Sequence, residues 1–166
     1  MKVNIGFEYQ VEVVTPDGTV VSTERFCNRV PLAGLHYIIG SSLLGAAQTS
    51  TWYIAPYEND YTPLASDVAA TFPGAGIAGE LTAYSETNRV AWVPGSASGG
   101  VIDNSASKAE FTFNADKTVR GLAMFSTATK GGTSGVLISA AKLPAAQTLT
   151  SGSVLRVTAD FTFTSS

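Results

Sequence analysis

Val3, Ile5, Phe7, Tyr9, Val11 and Val13 alternate with Asn4, Gly6, Glu8, Gln10 and Glu12, a strict period of two. A β-strand is the local structure that gathers such a set onto one dry face and leaves the other face wet. The run ends at Thr15-Pro16-Asp17-Gly18. Proline presets its own φ, aspartate hydrogen-bonds the backbone beyond it and glycine accepts a positive φ, so these four residues predict a turn. Thr19 to Phe26 then doubles back, and residues 1–26 read as an N-terminal hairpin.

The same style continues down the chain. Thr51-Trp52-Tyr53-Ile54-Ala55 reads as a buried strand bounded by Pro56, and further strands are predicted at Glu80 to Ser85 and Arg89 to Val93. Ala109 to Asn114 alternates cleanly. Ala115-Asp116-Lys117 turns into Val119 to Thr127, and a Gly-rich turn from Lys130 to Gly135 leads to Val136 to Ala141. The chain closes with Leu155, Val157, Ala159, Phe161 and Phe163 alternating against polar residues. Eight or nine strands with short polar turns predict a mainly β domain, an antiparallel sandwich or barrel. One helix interrupts it, over about residues 31–44, with apolar residues at 32, 35, 39 and 43 on one helical face. Asn28 is the expected cap, and Pro31 suits a first turn.

A chain of 166 residues fits one domain with a single core. Residues 1–166 show no repeat and no linker. Charged residues are 14%, against a usual quarter or so, which leaves a surface of small neutral groups poorly protected against association. Net charge −3, with basic residues scattered singly, excludes a broad electrostatic hold on nucleic acid. Cys27 is the single cysteine, so no internal disulfide and no multi-thiolate metal site can form. Neither a signal-type apolar segment nor a membrane-length apolar run is present, and a cytosolic origin is expected.

Catalytic and ligand motifs fail on context. Gly74-Ala75-Gly76-Ile77-Ala78-Gly79 matches the dinucleotide fingerprint in letters, yet Phe72-Pro73 leads in and a strand is expected to lead out, so it reads as a flexible loop. Ser105-Ala106-Ser107-Lys108 has the serine–lysine spacing of penicillin-binding enzymes without the helix that chemistry needs. His36 is the only histidine and has neither a second histidine nor a carboxylate at helical spacing, which reads as structural. Cys27 reads as a small buried apolar group. Glu58, Asn59, Asp60 and Asp67 carry oxygens for a loop cation but not in the order of an EF-hand. Trp52, Tyr53, Trp92 and Phe111 suit a carbohydrate groove, although the tryptophans lie in strand patterns and read as core. No cofactor and no enzymatic reaction is expected.

Pro31-Leu32-Ala33-Gly34-Leu35, Thr51-Trp52-Tyr53-Ile54, Tyr61-Thr62-Pro63 with Asp67, Thr82-Ala83-Tyr84-Ser85-Glu86 with Arg89 and Trp92, and Asp103-Asn104-Ser105-Ala106 with Phe111 follow one another in order. Over roughly residues 28 to 163 this resembles a family of small structural proteins of tailed bacteriophage virions. The resemblance implies no catalytic residue. It implies a virion component assembled in the host bacterial cytoplasm, a capsid-decorating (cement) protein or a neck or tail accessory protein anchoring a fibre or spike. The partners it implies are the major capsid protein, or portal and tail proteins, together with further copies of this chain, for instance in a trimer. Direct contact with nucleic acid or membrane is not expected. A host-surface or glycan-binding module is the reading from a different class.

A virion part multiplies weak contacts by symmetry, and edge strands can extend a neighbour's sheet. Loops as long as Tyr61 to Gly79 usually serve function or pack on a neighbour. The expected contact residues are therefore Val3, Ile5, Phe7 and Tyr9 in the N-terminal strand, with Tyr57, Tyr61 and Phe72 in and beside the long loop.

Overall fold

The computed structural model describes residues 3–165, and side chains from Asn4 onward. Two antiparallel sheets face each other as a β-sandwich. Its strands are β1 (Val3–Val14), β2 (Val20–Cys27), β3 (Trp52–Tyr57), β4 (Val90–Trp92), β5 (Val101–Asp103), β6 (Ala109–Thr112), β7 (Lys117–Phe125), β8 (Leu137–Leu149) and β9 (Val154–Ser165), with one helix, α1 (Leu32–Leu43). The first sheet runs β2-β1-β9-β5, with β6 also on β9, and the second runs β4-β3-β7-β8.

The alternation in β1 does what its period requires. Phe7, Tyr9, Val11 and Val13 are buried and meet Ile54, Leu122 and Met124 of the second sheet in one core, while Glu8 is exposed and Gln10 and Glu12 are half-buried. The predicted turn forms. The Gly18 N–H donates to the Thr15 carbonyl at 2.8 Å, Gly18 takes φ +88°, and the Asp17 carboxylate accepts from Thr15 Oγ1 and the Thr19 N–H. β1 pairs over its full length with β9, from Val3 opposite Ser165 to Val14 opposite Val154, so the two ends of the chain share one ladder.

The second sheet is covered on both sides. Its inner face meets the first sheet, and Ala55, Tyr57, Ala123, Phe125, Leu137 and Ala140 on its outer face lie under the chain's own loop, through Ala69, Phe72 and Ala78. Burial on both faces explains why β3 and β7 read as nearly continuous apolar runs. Tyr57 lies directly over Gly121, where any Cβ would stand 1.9 Å from the ring, and its hydroxyl donates to the Ala141 carbonyl at 3.0 Å.

Several boundaries differ from expectation. Glu80 to Ser85 is not a strand. It touches the sheets only through single bridges, Tyr57 with Glu80 and Tyr84 with Phe113. Pro56 lies inside β3, its carbonyl accepting from the Leu81 N–H at 2.9 Å. β8 runs on past Ala141 through Pro144 to Leu149, which Pro tolerates at a sheet edge. β5 forms at Val101–Asp103, where no strand was expected.

Asn28 does not cap α1. Its Oδ1 accepts from the Phe7 N–H at 2.8 Å and its Nδ2 donates to Ser139 Oγ at 2.7 Å, the same oxygen that receives the Tyr9 hydroxyl at 2.8 Å. The side chain therefore bridges the two sheets. Pro31 takes the capping position in extended conformation with no side-chain cap bond.

α1 packs opposite to its amphipathic pattern. An apolar helical stripe ordinarily meets the core, yet Leu32, Ile39 and Leu43 are exposed. The face turned to the sandwich carries Gly34, Tyr37, Ile38 and Ser41, of which Gly34 is buried. A Cβ at Gly34 would stand 2.8 Å from the Ile138 carbonyl oxygen, so glycine lets the helix axis approach β8 at backbone distance.

Candidate interaction surface

At 100° per residue, positions 32, 36, 39 and 43 of α1 fall within about 60° of one another. Leu32 is 52% exposed, Ile39 49%, Leu43 77% and the following Leu44 78%. His36 shares this face and is exposed. From Val30 to Tyr57 the sequence contains no Asp, Glu, Lys or Arg. The result is an apolar ridge about three turns long without a formal charge on its own element. Isolated exposed leucines need no explanation, whereas a row of them along one face marks an interaction site or an aggregation hazard.

Beside the ridge, at one end of the sandwich, lies an apolar groove of about 250 Å³ bordered by Tyr37, Ile38, Trp52, Trp92, Phe161 and Phe163. Tyr37 meets Trp52 edge-on with ring centroids 5.0 Å apart, and its hydroxyl accepts from the Thr49 N–H. Phe7 supports the floor, 4.9 Å from Phe161 and 5.8 Å from Trp92. Trp92 is held by its Nε1–H on the Ala159 carbonyl at 3.0 Å. Phe163 stands at the rim and is 56% exposed. The walls are thus locked aromatic rings, and α1 contributes Tyr37, Ile38, Ser41 and Ser42 to the groove rather than its ridge residues.

The opposite chemistry covers the outer face of the first sheet. Glu8, Asp160 and Asp103 lie side by side on β1, β9 and β5. Burial and the neighbouring Asp103 and Glu8 carboxylates push the Asp160 carboxyl above the usual carboxylate range, while Arg25 offsets part of this. Hydrogen bonds from Ser105 hold Asp103 low. Two rows further along, Lys108 Nζ contacts Glu12 at 2.8 Å and Arg156 contacts Glu110 at 2.7 Å.

The expected contact residues fall elsewhere. Phe7, Tyr9, Tyr57 and Phe72 are each at most 4% exposed within this chain's own core layers and have no area to offer a neighbour. The period of two that identified β1 identified its inward face. Tyr61 is half-buried, with its hydroxyl donated to Asp67 at 2.7 Å and its ring against Phe72. Burial and the Asp67 carboxylate push that hydroxyl up to about 12. Ile5 keeps partial exposure, and the Val3 side chain lies outside the described residues.

The remaining candidates are used structurally or dispersed. Asp67 accepts from the Leu64 N–H, Glu58 and Asp60 pair with Lys117 and Lys142, and Asn59 Nδ2 donates to the Ala75 and Ile77 carbonyls. Those last bonds pin the glycine-rich loop, which is therefore tied down rather than free. Lys108 of the serine–lysine motif is engaged by Glu12 in the β5–β6 loop. Cys27 is exposed at the end of β2, not buried as expected, because it falls on the outer face of the hairpin. Trp52 and Trp92 face each other across β3 and β4, and Phe111 is fully buried on the far strand β6.

Sequence reasoning missed one buried ion pair. Arg89 donates to Glu80 through Nε at 2.9 Å and Nη2 at 2.6 Å, with both side chains almost completely buried. Its guanidinium also reaches the Thr127 and Gly132 carbonyls and lies 3.8 Å above the Phe125 ring. This fork fastens three loops at one end of the second sheet. An isolated glutamate and an isolated arginine nine positions apart carry no periodic signal.

No protein-family model matches this sequence, and no curated protein matches it. Among the described residues, no group of three His, Cys, Asp or Glu side chains is placed to hold a metal ion, and no helix is long and apolar enough to cross a membrane.

Proposed function

We propose that this chain is a structural subunit of a tailed-phage virion, a capsid-decorating protein that bridges capsid subunits and strengthens the shell. The observation that carries this reading is the orientation of α1. The helix lays Gly34, Tyr37 and Ile38 on the sandwich and holds Leu32, Ile39 and Leu43 toward solvent, an arrangement that becomes favourable once another surface covers them. The rigid groove of aromatic rings beside it supplies a preformed seat, which lowers the ordering cost of binding. The resemblance in the ordered sequence phrases favours a virion as the setting of this contact.

Bridging then follows from copy number. A surface this small binds weakly alone, and repetition on a symmetric shell multiplies weak contacts into a stable coat. The charged outer face of the first sheet stays toward solvent in this arrangement. The test is incorporation. Particles grown with the Leu43→Glu variant, a change at a 77% exposed position checked for unchanged thermal unfolding, are expected to lack the chain, and equal incorporation of the variant contradicts the reading.

A further inference from the structure

We infer that the first sheet holds an open strand position beside β1 at Ile5. Its occupant is an extended segment of another protein chain, antiparallel to β1, in which a basic residue precedes a branched or aromatic apolar one. The inference goes beyond the α1 contact and uses none of its residues.

Backbone geometry makes the position. β2 pairs with β1 only from Cys27 opposite Glu8 to Val20 opposite Val14. Asn28 takes the next place, where its N–H donates to the Phe7 carbonyl at 3.0 Å and its Oδ1 accepts from the Phe7 N–H at 2.8 Å. Arg29 then exchanges two backbone bonds with Ala140 of β8, at 2.8 and 3.0 Å, so the chain changes sheets and leaves β1 behind. The side to which N–H and C=O point alternates along an antiparallel strand. Phe7 turns both groups toward the β2 side, so Ile5 does too, and the N–H of Phe163, opposite Ile5, points the other way to the Gly100 carbonyl. Among the described residues, no group meets the Ile5 N–H or carbonyl on that side. They face an open groove of about 530 Å³ bordered by Asn4, Gly6, Cys27, Asn28 and Thr162.

These two groups name the kind of occupant. A donor and an acceptor on one residue are met together by the backbone of a residue directly opposite, and strand addition gains its affinity in this way, with side chains at alternate positions giving specificity. A lipid tail offers neither group, and a polyanion backbone offers acceptors without the paired donor.

Neighbouring side chains set the sequence of the segment. The residue opposite Ile5 shares a face with Ile5 and Phe163. Phe163 is 56% exposed and Ile5 is half-buried, so an apolar residue completes that cross-strand row. In an antiparallel segment the residue before it lies opposite Gly6, on the outer face, where β1 has no side chain in the way. Glu8, Asp160 and Asp103 form the acidic row beside it, with Arg25 3.7 Å from Glu8. A lysine or arginine there lies across Gly6 toward Glu8, an opposite-charge neighbour on one sheet face. The added strand extends this face and leaves the acidic row itself uncovered.

Titration of the isotope-labelled whole chain with the blocked peptide Ser-Thr-Lys-Ile-Thr-Ser, up to millimolar concentration and followed by amide NMR, tests this. The expected result is shifts confined to Asn4 to Glu8, Cys27 and Asn28, with slowed hydrogen exchange at the Ile5 amide. N-methylation of the peptide isoleucine deletes the N–H that meets the Ile5 carbonyl. It is expected to weaken binding by roughly tenfold, the scale of a hydrogen bond lost with its partner left unpaired. Glu8→Gln, at an exposed position, is expected to weaken the lysine peptide but not its serine analogue, while thermal unfolding stays as in the parent. Absence of shifts at millimolar peptide overturns the inference, as does equal binding of the N-methylated peptide. Shifts centred on Tyr37, Trp52 and Trp92 would move the site to the aromatic groove and also overturn it. So would protection of the Ile5 amide by self-association without peptide, which would give the position to a second copy.

Discussion

Gly34 of α1 lies against Ile138 of β8 so closely that a Cβ on the helix residue would stand 2.8 Å from the Ile138 carbonyl oxygen and 2.9 Å from its Cα. Both obstacles are backbone, so the helix rather than a side chain must give way. Gly34→Ala is expected to destabilise the fold by about 1–3 kcal/mol through overpacking, with the roughly 1 kcal/mol gain in helix propensity recovering only part. Urea unfolding measures the change, and an unchanged midpoint would show that α1 does not depend on this approach.

Gly121 tests the second layer in the same way. Its missing Cβ is where the Tyr57 ring lies, and Tyr57 is anchored by its bond to Ala141. Gly121→Ala is expected to cost more than about 3 kcal/mol, at the severe end of the range for single substitutions, and to loosen the loop that carries Phe72. Limited proteolysis within residues 58–80 reads out that loosening.

The Arg89–Glu80 pair predicts a non-additive result. Removing one buried partner leaves an uncompensated charge and costs about 3–5 kcal/mol, so Arg89→Met alone is expected to be severe. Adding Glu80→Gln removes the stranded charge and should recover part of the loss, leaving the cost of the bonds to Thr127 and Gly132. Additive single costs in a double-mutant cycle would show that the two groups do not act as a unit.

Tyr84 predicts a gain. Its ring is buried against Phe111 and Phe113, and its hydroxyl has no hydrogen-bond partner among the described residues. An unsatisfied buried polar group costs about 1–3 kcal/mol, so Tyr84→Phe is expected to leave stability unchanged or raise it by about 1 kcal/mol. A loss in calorimetric stability would mean that the hydroxyl is engaged.

The Glu8–Asp160–Asp103 row predicts a pH dependence. Asp160 is raised in the folded chain by burial first, then by Asp103 and Glu8, so the folded state holds its proton more tightly than the unfolded state does. The favourable contribution of the protonated group is present below the unfolded carboxylate value and is lost as pH rises through the folded value. Asp160→Asn should therefore raise stability by about 0.2–1 kcal/mol near neutral pH, the scale of a like-charge cross-strand contact, and should converge on the parent in acid. A stabilisation that persists in acid would exclude carboxylate repulsion as its cause.

The sandwich was legible because β1, β6 and β9 write their inward faces with period two, and because Thr15-Pro16-Asp17-Gly18 encodes its turn. The exposure of the α1 stripe was not legible from the same pattern. A stripe at 32, 35, 39 and 43 looks alike whether it meets the core or a partner, and what reverses the helix is one close contact, Gly34 on Ile138, between residues about a hundred positions apart. Phe7, Tyr9, Tyr57 and Phe72 were misplaced for a related reason, since large aromatic side chains signal burial without saying against what. The phrases that carry the phage resemblance include Tyr84, Arg89, Trp92, Asn104 and Phe111, all buried. These members describe the interior, which cannot specify a neighbour, while Leu32, Thr82, Ser85, Ser105 and Ala106 of the same phrases are exposed.

The most direct test of the account is the number of copies of this chain relative to the major capsid protein in purified particles, measured by quantitative mass spectrometry. The account predicts a ratio near one copy per capsid subunit. A ratio suited to a six- or twelve-fold ring would contradict decoration and move the chain to the neck or tail, and its absence from particles would contradict a virion role altogether.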